Sequence, residues 1–198
     1  MNLDKEISER MSACANLINE NLAENLTKLR QASEKIASAL KSGNKILFFG
    51  NGGSAAEAQH FAAEFVNRMV MERPALPAMA LTTDTSILTS IGNDRGFEEI
   101  FAWQIRALGK KGDIAFGIST SGNSPNVIRG LELSQEMGIY RMGLAGLRGT
   151  KISKVSDLCF WVNSKSTPRI QEVHLLIGHL LCEMVDLILF GEKTDGKK

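Results

Sequence analysis

The chain has 198 residues, 43% of them hydrophobic and 23% charged, enough for one ordinary globular core and at most one appendage. Lys plus Arg number 23 against 22 Asp plus Glu, a net charge of +1, without the strong basic excess of a nucleic-acid binder. Cys14, Cys159 and Cys182 are scattered and form no C-x-x-C pair, so they indicate neither a disulfide framework nor a thiolate zinc site, but free thiols in a reducing cytosol. The N-terminus is charged, without the apolar core of a signal peptide. His179, Glu183 and Asp186 interrupt the C-terminal apolar stretch below the ~18 residues of a spanning helix. The expected location is cytoplasmic, with neither a membrane nor a nucleic acid as partner.

Residues 3–42 contain no Pro and no Gly, and Leu17, Leu22, Leu26, Leu29, Ile36 and Leu40 recur along them. This predicts one long helix or two in tandem, stopped at Gly43. A helix so long, before the first strand, has no sheet of its own to cover; residues 1–42 are expected to pack between subunits. The rest, 43–191, alternates. Lys45–Gly50 reads as a buried strand and Ser54 to about Val70 as a helix, with Ser54 and Glu57 spaced as a capping box. Pro74 and Pro77 lead to a second strand, Pro77–Leu81; Phe97–Leu108 is a helix closed by Gly109. Asp113–Ile118 is the third strand, Pro125–Met137 the next helix, and Ile139–Ala145 and Leu158–Val162 the last two strands. Pro168–Phe190, capped by Thr167, is a final helix, and 192–198 a disordered tail. Such alternation predicts an α/β fold: a five-stranded parallel sheet, doubly wound and flavodoxin-like.

Two turns carry small polar residues. Gly50-Asn51-Gly52-Gly53-Ser54 lies between the first strand and its helix, and Ser119-Thr120-Ser121-Gly122-Asn123-Ser124 follows the third. Pro125 then stands at the first helical position with Ser124 as its cap. Each turn offers backbone amides, hydroxyls and a helix N-terminus, which suit a phosphate. Neither matches G-x-G-x-x-G or G-x-x-x-x-G-K-[ST], so a monophosphate is favoured over a nucleotide. In sheet order 2-1-3-4-5 both turns line the crevice where the strand order reverses.

His60 and Glu64, four residues apart, share one helix face with Glu57 one turn earlier, amid alanines that leave room. An imidazole and a carboxylate so placed can bind a divalent metal such as zinc or act as acid and base. The last helix brings Gln171, Glu172, His174 and His179. Gln171 and His179 are eight residues, about 12 Å, apart along its axis. Either one side chain stretches or neighbouring subunits complete the site; a subunit interface is preferred. His174 points elsewhere and is assigned to the core. Asn93-Asp94, in Gly92-Asn93-Asp94-Arg95-Gly96, reads as a turn that can meet a sugar hydroxyl.

G-N-G-G-S at 50–54, A-Q-H-F-A-A-E at 58–64, G-N-D at 92–94, I-S-T-S-G-N-S at 118–124 and R-I-Q-E-V-H-L-L-I-G-H at 169–179 together resemble the sedoheptulose 7-phosphate isomerase family of the sugar isomerase (SIS) fold group. The resemblance covers roughly residues 40–190. It implies conversion of sedoheptulose 7-phosphate to D-glycero-D-manno-heptose 7-phosphate, feeding ADP-heptose and lipopolysaccharide core synthesis. It further implies a homotetramer with active sites at subunit interfaces, and one zinc ion per subunit on His60, Glu64, Gln171 and His179. Implied substrate contacts are Asn51, Gly52, Gly53, Ser54, Glu64, Asn93, Asp94, Ser119, Thr120, Ser121, Ser124 and Gln171. Glu64 would be the base and His179 the acid. The chain departs from the family in carrying Glu57 where Asp is common and Ala145–Thr150 where a glycine-rich run is common. A competing expectation is a non-catalytic SIS tetramer that binds a DNA replication initiator; such relatives lack the acidic and histidine pair present here.

Overall fold

The computed structural model describes residues 1–191, apart from the side chains of Leu22 and Ala23; the tail expected at 192–198 lies outside the described residues. The chain opens with one unbroken helix, α1 (Leu3–Lys41), started by the Asn2 carboxamide, which accepts from the Lys5 amide at 3.2 Å. Five strands follow: β1 (Ile46–Gly50), β2 (Ala78–Ala80), β3 (Ile114–Ser119), β4 (Tyr140–Ala145) and β5 (Leu158–Trp161). All pairings are parallel, in the order β2-β1-β3-β4-β5, the doubly wound order expected. The intervening helices are α2 (Gly53–Val66), α3 (Thr85–Arg95), α4 (Ile100–Leu108), α5 (Pro125–Glu136), α6 (Lys151–Val155) and α7 (Thr167–Phe190).

Both sheet faces are covered, which is why β1 and β3 read as continuous apolar runs. Along β1 the side chains alternate. Ile46 and Phe48 enter a cluster with α1, α2 and α7; Leu47 and Phe49 enter a second with α4 and α5. Phe48 sits 5.9 Å from both Phe61 and Phe65, ring to ring, and 5.3 Å from Phe116, tying α2 to the sheet centre.

Several expectations are corrected. The second half of α1 covers its own sheet: Leu29, Ala32, Ile36, Ala37 and Leu40 belong to the first cluster, and α1 lies along α7 and β5. This is possible because α2 and α7 leave part of that face bare. The early apolar residues of α1, Leu3, Ile7 and Met11, stand exposed, as does Leu26 further along. Ser54 and Glu57 form no capping box; α2 begins at Gly53 behind Gly52, and both side chains turn into the protein. It ends at Val66, not near Val70. Residues 92–95 are not a turn but the last turn of α3, which Asp84 starts by accepting from the Ile87 amide at 2.9 Å. Ser166, not Thr167, stands at the cap of α7. By length and composition α7 could cross a membrane, contrary to the sequence expectation. Here Ile170, Val173, Ile177, Leu181 and Val185 serve as its core stripe.

Candidate active site

The β1–α2 turn is shaped by glycine. Gly52 has φ 55°, the left-handed region that a side chain resists. Gly53 lies so close to the Gln171 carboxamide that a Cβ there would come within 2.0 Å of Nε2. The turn is also braced from the start of α5. The Asn51 and Asn126 side chains exchange two amide hydrogen bonds, each 2.8 Å. Asn51, expected to face substrate, thus has its side chain engaged at the start of α5. Asn126 was not singled out from sequence; its signal was a second amide just after the capped Pro125, legible only once β1 and β3 are neighbours.

In the β3–α5 turn the Ser119 hydroxyl is 2.9 Å from that of Ser124 and 3.3 Å from that of Ser121. Ser124 occupies the N-cap position of α5, yet its hydroxyl pairs with Ser119 rather than with a helix amide. Gly122 closes the turn on the Ser119 carbonyl at 2.8 Å, and Thr120 is half-buried beside it. The hydroxyls gather at the carboxyl end of β3 beside the α5 N-terminus, a setting that suits an anion.

A cleft of about 400 Å³ opens between α2 and α7, lined by Gly53, Ala56, Glu57, His60, Gln171, Leu175 and His179. Gln171 and His179, eight residues apart, thus border one cleft within a single chain. The His60 and His179 rings meet there, Nε2 to Nε2, at 2.7 Å. At that distance one nitrogen carries the proton and the other accepts it. Glu64 Oε1 stands 3.7 Å from Nδ1 of His60, at the far edge of the ring, with its side chain 19% exposed. Burial first, and the Glu64 carboxylate second, push the Cys182 thiol well up, so it stays a neutral core group.

Ser54 is buried within α2, and Asn93 and Asp94 are exposed on α3, paired with each other at 2.8 Å. None of these three lines the cleft. His174 is fully buried beneath it, near the Ala145 carbonyl at 3.2 Å. The buried Glu57 carboxylate lies 3.6 Å from Nδ1 of His174, with neither oxygen hydrogen-bonded. Sequence put Glu57 on the His60 stripe; its burial against α7 is a tertiary fact.

Two imidazoles facing one point, with a carboxamide on the same cleft, have the donor chemistry that zinc takes. The Nε2–Nε2 gap of 2.7 Å would open by about 0.6 Å to admit a tetrahedral ion at ordinary zinc–nitrogen distances of about 2.0–2.1 Å. Glu64, turned to Nδ1 of His60, stands where it orients the ring. Among the described residues no three His, Cys, Asp or Glu side chains converge on one point.

A SIS-domain family model matches residues 11–146. A phosphoheptose isomerase of Aneurinibacillus thermoaerophilus is 52% identical over 168 residues, 85% of each chain. The chain belongs to the phosphoheptose isomerase family. The family's member in Thermodesulfovibrio yellowstonii is 46% identical over 198 residues, 100% of this chain and 98% of its own. Two solved phosphoheptose isomerases share the fold. That of Neisseria gonorrhoeae has a TM-score of 0.88 at 41% identity, covering 93% of this chain and 99% of its own. That of Francisella tularensis has 0.90 at 35%, covering 94% and 99%. Within the phosphoheptose isomerase family, the α2–α7 cleft and the two turns of this chain are its candidate active site.

Proposed function

We infer that this chain is an aldose–ketose isomerase that converts sedoheptulose 7-phosphate to D-glycero-D-manno-heptose 7-phosphate. The observation that carries the reading is the meeting of His60 and His179 on a cleft bordered by the β1–α2 turn, with the Glu64 carboxylate 3.7 Å behind the His60 ring at Nδ1. The relatives named phosphoheptose isomerase support the same activity. The competing initiator-binding role has no support: the relatives are isomerases, and Glu64 and His179 are both in place.

The chemistry moves one proton between neighbouring carbons. The phosphate docks on the amides and hydroxyls of the Ser119–Ser124 turn, against the α5 N-terminus. The Glu64 carboxylate, aligned by Nδ1 of His60, removes the proton from C1 of the open-chain ketose. The His179 imidazole gives a proton to the C2 oxygen and takes one from the C1 oxygen, and Glu64 returns its proton to C2. The β1–α2 backbone and Gln171 hold the sugar chain against bulk water. His60, His179 and Gln171 would hold zinc; Glu64, expected as a fourth ligand, instead faces Nδ1 of His60 and would orient that ring, and the bound ion would supply charge stabilisation to the enediolate.

The same proposal includes a homotetramer in the cytoplasm. An apolar groove of about 530 Å³ between α1 and α7, lined by Leu26, Leu29, Leu180, Leu187 and Ile188, together with exposed Leu3, Ile7 and Met11, supports subunit packing. The product would enter lipopolysaccharide heptose synthesis.

The test is incubation with sedoheptulose 7-phosphate in D2O, following the aldose by NMR, before and after chelation and zinc return. Aldose carrying deuterium at C2 is expected, with turnover lost on chelation and restored by zinc. Absence of aldose from zinc-supplied protein overturns the activity; turnover indifferent to exhaustive chelation overturns the metal.

A further inference from the structure

Arg73 lies in the connection after α2, and its guanidinium is almost wholly buried, the side chain 1% exposed. Each of its nitrogens donates, to carbonyls and to one carboxylate. Nη2 donates to the Glu64 carbonyl at 2.8 Å; Nη1 donates to the carbonyls of Phe65 at 2.7 Å, Asn67 at 3.0 Å and Pro74 at 3.2 Å. Nε donates to Asp186 Oδ1 at 2.9 Å, a carboxylate 4% exposed on α7. One planar fork therefore caps the carbonyl end of α2, where a cation suits the dipole, and binds it to α7.

The two ends of this clamp lead to the chemistry. The carbonyl held by Nη2 belongs to Glu64 itself. Asp186 is seven residues, two turns, beyond His179, on the same face of α7. One residue before His179, Gly178 admits the Phe61 ring: a Cβ at 178 would lie 2.0 Å from Cε1 of Phe61. The α2–α7 approach is thus set at one point by contact and at another by the Arg73 fork, with the His60–His179 pair beside the first.

We propose that Arg73, with Asp186, is a positioning residue of the isomerase. It fixes the backbone of Glu64 and the register of α7 so that the base carboxylate and the His179 imidazole bear on the same substrate carbons. The proposal rests on the isomerase reading for its rate effect, though not for its geometry. Arg73 makes no hydrogen bond to a side chain that lines the cleft.

The test compares wild type with Arg73→Met/Asp186→Leu and with Arg73→Lys. The double variant removes both charges together, so no unpaired ion is left buried, and such replacements often keep or raise stability. Lysine keeps the ion pair but cannot serve Glu64, Phe65 and Asp186 from one nitrogen. Three readouts are taken: thermal midpoint, kcat and KM for sedoheptulose 7-phosphate, and imidazole 1H–15N signals. The chain has only 3 histidines, which keeps the imidazole spectrum simple.

The expected result is kcat lower by about 10- to 100-fold, the cost of an ångström-scale misplacement, with KM within about twofold because the phosphate turn is untouched. The His60 and His179 signals shift. Wild-type kcat and unmoved His60 and His179 signals in a variant that melts like wild type overturn the proposal. If the double variant fails to fold, Arg73→Lys carries the same comparison. If wild type itself shows no turnover, the isomerase reading falls, and the imidazole signals alone decide whether the clamp aligns the pair.

Discussion

Gly178→Ala is the smallest change that tests how α2 and α7 build the site. The residue is buried in α7, and an added Cβ would meet Cε1 of Phe61 at 2.0 Å, Cζ at 2.2 Å and Cδ1 at 2.6 Å. An ordinary carbon–carbon contact is about 3.5 Å, so the helices must part by roughly 1.5 Å or the ring must turn. The ring is 1% exposed and packed against Phe48, so it has little room. Alanine is the better helix former, by about 1 kcal/mol. Overpacking a filled core costs about 1–3 kcal/mol, so the net effect is a loss of about 0–2 kcal/mol. The functional effect is larger. His60 and His179 adjoin the clashing pair, and their 2.7 Å separation cannot survive such an opening. A turnover loss of about 100-fold is expected. Thermal denaturation and NMR-followed isomerisation measure both effects, and Phe61→Leu in the Gly178→Ala background should recover part of each. A Gly178→Ala protein with wild-type midpoint and wild-type turnover would refute the idea that this contact sets the site.

Glu64→Gln keeps the shape of the base and removes its charge; turnover should fall by about 10²–10⁴-fold while the melting free energy moves by less than about 0.5 kcal/mol. Unchanged turnover removes Glu64 from the proton transfer. Asp113 is fully buried at the start of β3, where it accepts from the Lys45 amide at 3.0 Å, the Lys45 ammonium at 2.6 Å and the Lys110 amide at 2.9 Å. Asp113→Ala should cost about 3 kcal/mol, roughly 6–12 °C of midpoint, and leave KM alone because it lies at the opposite end of the strands from the phosphate turn. A change in KM without loss of midpoint would contradict that placement. Lys28 packs over the Trp161 ring, 2.7 Å from its centroid, and burial lowers its pKa to about 8. The unfolded lysine keeps its proton to about pH 10.4, so the native state is penalised below pH 8 and relieved as pH rises through that window. Lys28→Met should therefore stabilise at pH 7, with the gain shrinking toward pH 10; a gain independent of pH would reject the titration argument.

The motifs at 50–54, 58–64, 118–124 and 169–179 were legible because each is local: a glycine turn, a four-residue helical spacing, a hydroxyl-rich cap. The α3 helix was not legible. It buries no residue, so it carries no apolar period, and its one signal was Asp84 at the cap. The five-residue α6 was too short to show a period at all. Arg73 looked like loop punctuation before a proline, since nothing local marks a guanidinium whose acceptors include a helix end and a residue 113 positions away.

Chain order, the alternation of strand and helix, and the doubly wound sheet were determined by the sequence alone, because the period of apolar residues and the placement of Gly and Pro are local properties that steric and hydrophobic rules read directly. Only the tertiary structure decided that α1 covers its own sheet, that Gln171 and His179 share a cleft with His60 in one chain, and that Asn51 spends its side chain on Asn126. These depend on which helix faces meet, and the distance between two faces is set by packing of residues far apart in the chain, which no local pattern encodes.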